Sequence, residues 1–144
     1  MITVLLANDH ASVRKSLRYL LETTDDIQVI ATASTGAEAI AKASFYYPDV
    51  AILDLSMPLM DGIKATREIR VRCPLTRIMM LSIYDNAEYV HRALEVGALG
   101  YVLKDMIGDD LLAAVRALHS GGRYFSQKIA EIAQKYMNQT GNDS

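Results

Sequence analysis

Five short apolar runs punctuate the chain, at positions 2–7, 27–33, 50–53, 78–81 and 101–103. None shows sustained polar alternation, so each reads as a strand buried on both faces, as in a parallel sheet. Helical periodicity fills the gaps. Val13, Leu17, Leu20 and Leu21 share one side of the first such segment, and Arg14, Lys15, Arg18 and Glu22 share the other. Thr35 and Glu38 form a capping-box pattern for a second helix through Ala37 to Phe45. Asp61-Gly62 opens a third, which Cys73-Pro74 closes because the residue before proline avoids helical geometry. Asp85 and Glu88 repeat the capping pattern, and Gly97 ends that fourth helix. Asp109 and Asp110 start a fifth with charge that suits its dipole, and Gly121-Gly122 stop it.

The resulting order is strand then helix, repeated five times. Right-handed crossovers between parallel neighbours make this an α/β, doubly wound five-stranded parallel sheet with helices on both faces. Residues 1–122 form the one expected domain. Residues 123–144 carry Ile129, Ile132, Ala133 and Tyr136 at helical spacing and then turn polar, which reads as a linker helix with a frayed tail.

Composition removes several classes of function. The 144 residues, 51% hydrophobic, suit one packed domain. Lys+Arg 15 against Asp+Glu 17 leaves a formal charge of -2, without the basic footprint that direct nucleic-acid binding requires. The single cysteine, Cys73, allows neither an intrachain disulfide nor a cysteine-based zinc site. No apolar run reaches the roughly 20 residues that cross a bilayer, and the first ten residues lack the charge and cleavage pattern of a signal peptide. A cytoplasmic protein that does not enter membranes is expected.

Open parallel sheets bind ligands at the carboxyl ends of their strands. Here those ends carry Asn8-Asp9, Asp54, Ser82 and Lys104. Two carboxylates suit a hard divalent cation such as Mg2+, while a lysine and a hydroxyl suit the oxygens of a phosphoryl group. No glycine-rich loop follows the first strand, which excludes dinucleotide and P-loop cradles. His10, His91 and His119 have no ligand spacing and read as surface or capping residues. Singly, each strand-end residue has a plain structural reading: Asp9 or Asp54 as a cap, Lys104 as a solvated lysine, Ser82 as incidental. Polar residues at four of five predicted ends, all on one edge, favour a site.

Four motifs, "LLANDH", "ILDLSMPLMDG", "MMLSIYD" and "GYVLKD", resemble the receiver domain of bacterial two-component response regulators over nearly all of positions 2–118. The "ANDH" and "LKD" forms and the later "SGGRYFS" look most like the NarL/FixJ (LuxR-type) subfamily. The resemblance implies a flavodoxin-like fold with strand order 2-1-3-4-5. It implies Asp54 as phosphoacceptor for a sensor histidine kinase, Lys104 as partner of the phosphoryl oxygens, and Ser82 and Tyr101 as a coupled switch, Tyr101 turning inward. Metal would be held by Asp9, Asp54, the carbonyl of Ser56 and the neighbouring Asn8, and Ser56 and Tyr84 would flank the path of hydrolytic water.

Asn8 departs from the acidic pair usual in the family, so weaker magnesium binding is expected. Asp105 stands where proline commonly follows the lysine. Nothing after Phe125 is long enough for the helix-turn-helix domain of the subfamily, so an isolated receiver is expected, with DNA reached only through a domain absent from this chain. The fifth helix carries Leu111, Leu112, Ala113, Ala114, Val115, Ala117 and Leu118, a surplus that suggests a phosphorylation-dependent homodimer. Two other readings compete. A phosphohydrolase using an aspartyl phosphate would need a carboxylate two residues after Asp54, where Ser56 stands. A receiver-like interaction module that takes no phosphate is compatible with Asn8.

Overall fold

The computed structural model describes residues 1–141. Strands β1 (Ile2–Ala7), β2 (Ile27–Ala33), β3 (Val50–Asp54), β4 (Arg77–Ser82) and β5 (Gly100–Leu103) alternate with helices α1 (Ala11–Leu21), α2 (Gly36–Tyr46), α3 (Gly62–Arg72) and α4 (Ala87–Glu95). A 3-10 turn, Lys104–Met106, leads into α5 (Ile107–His119), followed by β6 (Tyr124–Phe125) and α6 (Gln127–Gly141). All pairings are parallel, in the order β2-β1-β3-β4-β5-β6.

The continuous apolar runs are explained by burial on both faces. Val4, Leu6, Ile52, Met79, Leu81 and Val102 meet Leu17 and Leu21 of α1 and Leu111 and Val115 of α5. Their alternates Leu5, Leu53, Met80 and Tyr101 meet Ala39 of α2, Ile69 of α3, Val90 of α4 and Ile129 of α6. Each strand therefore contributes to two cores, and a polar residue on either face would be stranded without water.

The structure adds to the expectations in three places. The sheet has six strands: β6 adds a two-residue parallel rung, Gly100 to Tyr124 and Tyr101 to Phe125. The helix expected after Gly122 packs on the domain: Ile129 and Ala133 are fully buried and the Tyr136 ring lies 5.1 Å from that of His91 on α4. On α5 the apolar surplus is mostly core: Leu111, Ala114, Val115 and Leu118 are buried, leaving Leu112 and Ala117 half-buried and Ala113 exposed. A wide core stripe explains that helix without a partner.

The helix ends follow the capping logic with two displacements. Thr35 accepts the Glu38 N–H at 3.1 Å and Asp61 accepts the Lys64 N–H at 2.9 Å. α4 is instead capped at Asn86, one residue beyond Asp85, with no side-chain cap bond. α5 begins at Ile107, ahead of the expected Asp109-Asp110; the side chain of Asp109 lies outside the described residues, and that of Asp110 points inward. Cys73 ends α3 and is buried with a free thiol. Gly97 has φ 101°, the left-handed turn that closes α4. At Gly62 the requirement is space: a Cβ there would come within 2.5 Å of the Asp54 carbonyl oxygen. The start of α3 is thus pressed against the end of β3. Among the described residues, no helix is long and apolar enough to cross a membrane.

Candidate functional site

Asp54 ends β3 with a carboxylate 1% exposed, at the carboxyl edge of the sheet. Burial of a carboxylate is costly unless its oxygens are engaged, and here both are. Oδ1 accepts the Ser56 N–H at 3.0 Å. Oδ2 accepts from Lys104 Nζ at 2.7 Å and from Asn8 Nδ2 at 2.6 Å. Lys104 reaches across from beyond β5, two strands away, and its side chain remains partly exposed.

Asn8 is fully buried, and its orientation is forced by its neighbours. The His10 N–H can only donate, and it takes Asn8 Oδ1 at 2.9 Å. The carboxylate of Asp54 can only accept, and it faces the amide nitrogen. The Asn8 backbone carbonyl is held in turn by Arg14 Nη1 at 2.7 Å. Asn8, expected among the metal ligands, here donates to Asp54 through Nδ2 and accepts the His10 N–H at Oδ1.

Asp9 stays partly exposed, with His10 Nε2 3.7 Å from its carboxylate. Beside the Asp54 pair opens a recess of about 490 Å³ lined by Asp9, Ser56, Asp61, Tyr84, Tyr89 and Arg92 among others. Among the described residues no three His, Cys, Asp or Glu side chains converge. The donors at hand are the carboxylates of Asp9 and Asp54 and the Ser56 carbonyl. These are hard oxygen donors, of the chemistry a magnesium ion accepts, though one charge short of a site with an acidic pair.

Ser82 is buried at the end of β4, and its Oγ accepts the Tyr84 N–H at 2.9 Å. Tyr101 is already fully buried, its hydroxyl donating to the Tyr84 carbonyl at 2.7 Å. Burial pushes the Tyr101 phenol above its ordinary pKa, against an opposing hydrogen-bond contribution from Ser82. The inward position expected of Tyr101 is thus already adopted in this structure. Both Ser82 and Tyr101 grip the backbone of Tyr84, whose ring stacks on Tyr89 at 4.4 Å with Arg92 5.9 Å from the Tyr89 centroid. Sequence reasoning named Tyr84 as flanking the path of hydrolytic water, and missed Tyr89, Arg92 and Arg14. The two tyrosines fall on the loop and first turn after a strand end, which is the one signal that could have drawn attention to them.

A buried aspartate met by a lysine from the strand two places away, at the carboxyl edge of a 2-1-3-4-5 sheet, defines a signalling receiver. The chain belongs to the family described as the response regulator receiver domain, which matches residues 4–116. It is 38% identical over 143 residues to the oxygen regulatory protein NreC of Staphylococcus carnosus, covering 98% of this chain and 66% of that protein. The chain thus spans just under two thirds of that relative's length. Among solved structures, a LuxR-family two-component response regulator from Aurantimonas sp. SI85-9A1 superposes with TM-score 0.88 at 32% identity, covering 92% of this chain and 95% of the other. The isolated receiver domain of RcsB from Salmonella enterica serovar Typhimurium, solved with the phosphomimetic BeF3-, gives TM-score 0.83 at 27% identity, covering 91% and 97%.

Proposed function

We propose that this chain takes a phosphoryl group from a sensor histidine kinase onto Asp54 and passes the change to an output. The observation that carries the reading is the Asp54 carboxylate, buried yet fixed at a strand end with Lys104 Nζ 2.7 Å away. In the transfer an Asp54 oxygen bonds to phosphorus as the P–N bond of phosphohistidine breaks, its electron pair returning to the imidazole nitrogen. Lys104 follows the negative charge from carboxylate to phosphoryl oxygens. Ser82 turns its hydroxyl to the phosphoryl group and gives up the Tyr84 N–H, so the segment after β4 moves. Ser56 and Tyr84 flank the approach of hydrolytic water, and the chain's chemistry is limited to gaining and losing its own phosphoryl group.

Asp9, Asp54 and the Ser56 carbonyl would hold Mg2+, with water completing its shell. When bound, the ion offsets the charge that builds on the transferring group. Asn8 acts from outside that set, by keeping the Asp54 carboxylate oriented.

The output, in a longer protein of the LuxR type, is transcription through a helix-turn-helix domain, so this chain itself makes no direct contact with nucleic acid and works in the cytoplasm. A second copy is a further partner on phosphorylation. With α5 spent on the core, the apolar strip of Val13, Leu20 and Ile107 between α1 and α5 is the better surface for it.

A second reading, an interaction module that takes no phosphate, draws on the Asn8 amide that stands against Asp54 at 2.6 Å. One experiment separates the two. Incubation with acetyl phosphate and magnesium, read by intact mass, should add one acid-stable, alkali-labile phosphate that Asp54→Asn abolishes. An unmodified wild type would leave the interaction module standing.

A further inference from the structure

Ser126 lies between β6 and α6, fully buried, in a part of the chain outside the residues matched to the receiver family. Its hydrogen bonds reach three elements, β5, α5 and α6. Its N–H donates to the Tyr101 carbonyl at 3.1 Å, and its Oγ accepts the Leu103 N–H at 2.9 Å. Its carbonyl accepts the N–H groups of Ile129 at 2.8 Å and Ala130 at 3.0 Å, which opens α6. The β5–β6 ladder ends at Phe125, so the Ser126 hydroxyl supplies one more rung where β6 has no backbone partner to offer.

Asp110, in the first turn of α5, sets the direction of that hydroxyl. Ser126 Oγ donates its single proton to Asp110 Oδ2 at 2.9 Å, which leaves a lone pair for Leu103. Asp110 Oδ1 takes the Tyr124 hydroxyl at 2.8 Å, so the carboxylate is itself held. The residues bracketed on β5 are the ones that matter to the site: Tyr101 bonds the Tyr84 carbonyl, and Leu103 directly precedes Lys104.

We infer that Ser126, oriented by Asp110, is a positioning residue for Lys104 and the link by which the state of Asp54 reaches α6. The inference rests on the phosphoacceptor reading of Asp54 and Lys104. A shift of Lys104 toward a phosphoryl group pulls on Leu103, and the same hydroxyl that holds Leu103 belongs to the residue that starts α6.

The test compares wild type, Ser126→Ala and Tyr124→Phe. The last removes the other hydroxyl from Asp110 and leaves the Ser126 to β5 bonds in place, so it controls for lost stability, with melting temperatures measured for all three. Ser126→Ala should still take phosphate from acetyl phosphate on Asp54, at an initial rate about fivefold lower, the scale of one lost positioning hydrogen bond. Amide NMR shifts in α6 on phosphorylation, clear in wild type and Tyr124→Phe, should vanish in Ser126→Ala. Should Ser126→Ala not fold, Ser126→Cys keeps the shape with a much weaker hydrogen-bonding group and carries the same comparison. Equal rates and equal α6 shifts in the serine variant and Tyr124→Phe would overturn the link. A wild type that takes no phosphate would fail before any variant is compared, and would remove the phosphoacceptor reading together with this inference.

Discussion

Asn8 Nδ2 stands 2.6 Å from Asp54 Oδ2, on the same oxygen that Lys104 holds at 2.7 Å. One carboxylate oxygen thus receives a neutral and a cationic donor, and the amide does for Asp54 what a second carboxylate in its place could not do without a cation between them. Both Asp54 oxygens are thus held by donors of the protein itself.

Replacing that amide by a carboxylate should reverse the arrangement. Asn8→Asp sets two carboxylates at hydrogen-bond distance, which repel unless a cation or a proton intervenes. The variant should melt lower than wild type without magnesium and gain more stability on its addition. Calorimetric titration should show magnesium affinity higher by several-fold, about 1 kcal/mol after repulsion and desolvation are subtracted. Equal or weaker affinity would place position 8 outside the electrostatic reach of the ion.

Ser82→Ala should separate chemistry from response. The variant leaves the Tyr84 N–H without its 2.9 Å acceptor, a loss of about 1 kcal/mol in stability. It should still accept phosphate on Asp54, while the amide shifts of Tyr84 and Tyr101 that accompany phosphorylation in wild type disappear. Persistence of those shifts would take the switch away from Ser82.

Gly62→Ala tests the contact between the start of α3 and the phosphoacceptor strand. With the Asp54 carbonyl oxygen only 2.5 Å from the new Cβ, the helix or the strand end must shift. A loss of about 2 kcal/mol is expected by denaturant melts, within the range of overpacked cores, together with slower labelling of Asp54 by acetyl phosphate. Wild-type stability in this variant would mean that the loop before α3 yields without cost.

The pairing of Arg116 on α5 with Asp26 before β2 sets a pH dependence away from the site. Arg116 Nε and Nη2 donate to the two Asp26 oxygens at 2.9 and 3.1 Å. These hydrogen bonds hold the Asp26 carboxyl well below the usual carboxylate range. A folded-state pKa that lies below the unfolded one adds stability above the unfolded value, near 4, and loses it as pH falls toward the folded one. The melting-temperature gap between wild type and Asp26→Asn should therefore be present at pH 6 and shrink below about pH 4. Both side chains are exposed, so the gap should also shrink in high salt. A gap that widens on acidification would contradict the assignment.

The major strands were legible because each is buried on two faces, and a strand of that kind has no choice but a run of apolar residues. β6 was not, because two residues, Tyr124 and Phe125, carry no period. The strand-end residues Asp54, Ser82 and Lys104 could be placed because the parallel topology brings all such ends to one edge. Asn8 was harder: an amide offers both an oxygen and a nitrogen, and only the His10 N–H and the Asp54 carboxylate decide which one faces the site. Asp110 was read for its charge at a helix start, whereas its use is as the buried acceptor for Tyr124 and Ser126, residues that no local pattern connects to it. On α5 the apolar excess counted toward the core, since β5, β6 and α1 enclose more of that helix than a single stripe requires.

Cys73 offers a way to watch the molecule breathe. It is the only thiol in the chain, it lies buried at the end of α3, and its N–H closes the last turn on the Ile69 carbonyl at 2.7 Å. With Cys73 2% exposed, opening of the corner between α3 and β4 should speed its reaction with an alkylating reagent, so the rate of modification reports on those openings. Because α3 is anchored at its other end against the Asp54 carbonyl, anything that tightens the Asp54 site should slow the reagent at the far end of the helix, and a single mass measurement over time would read out how rigidly one end of α3 is geared to the other.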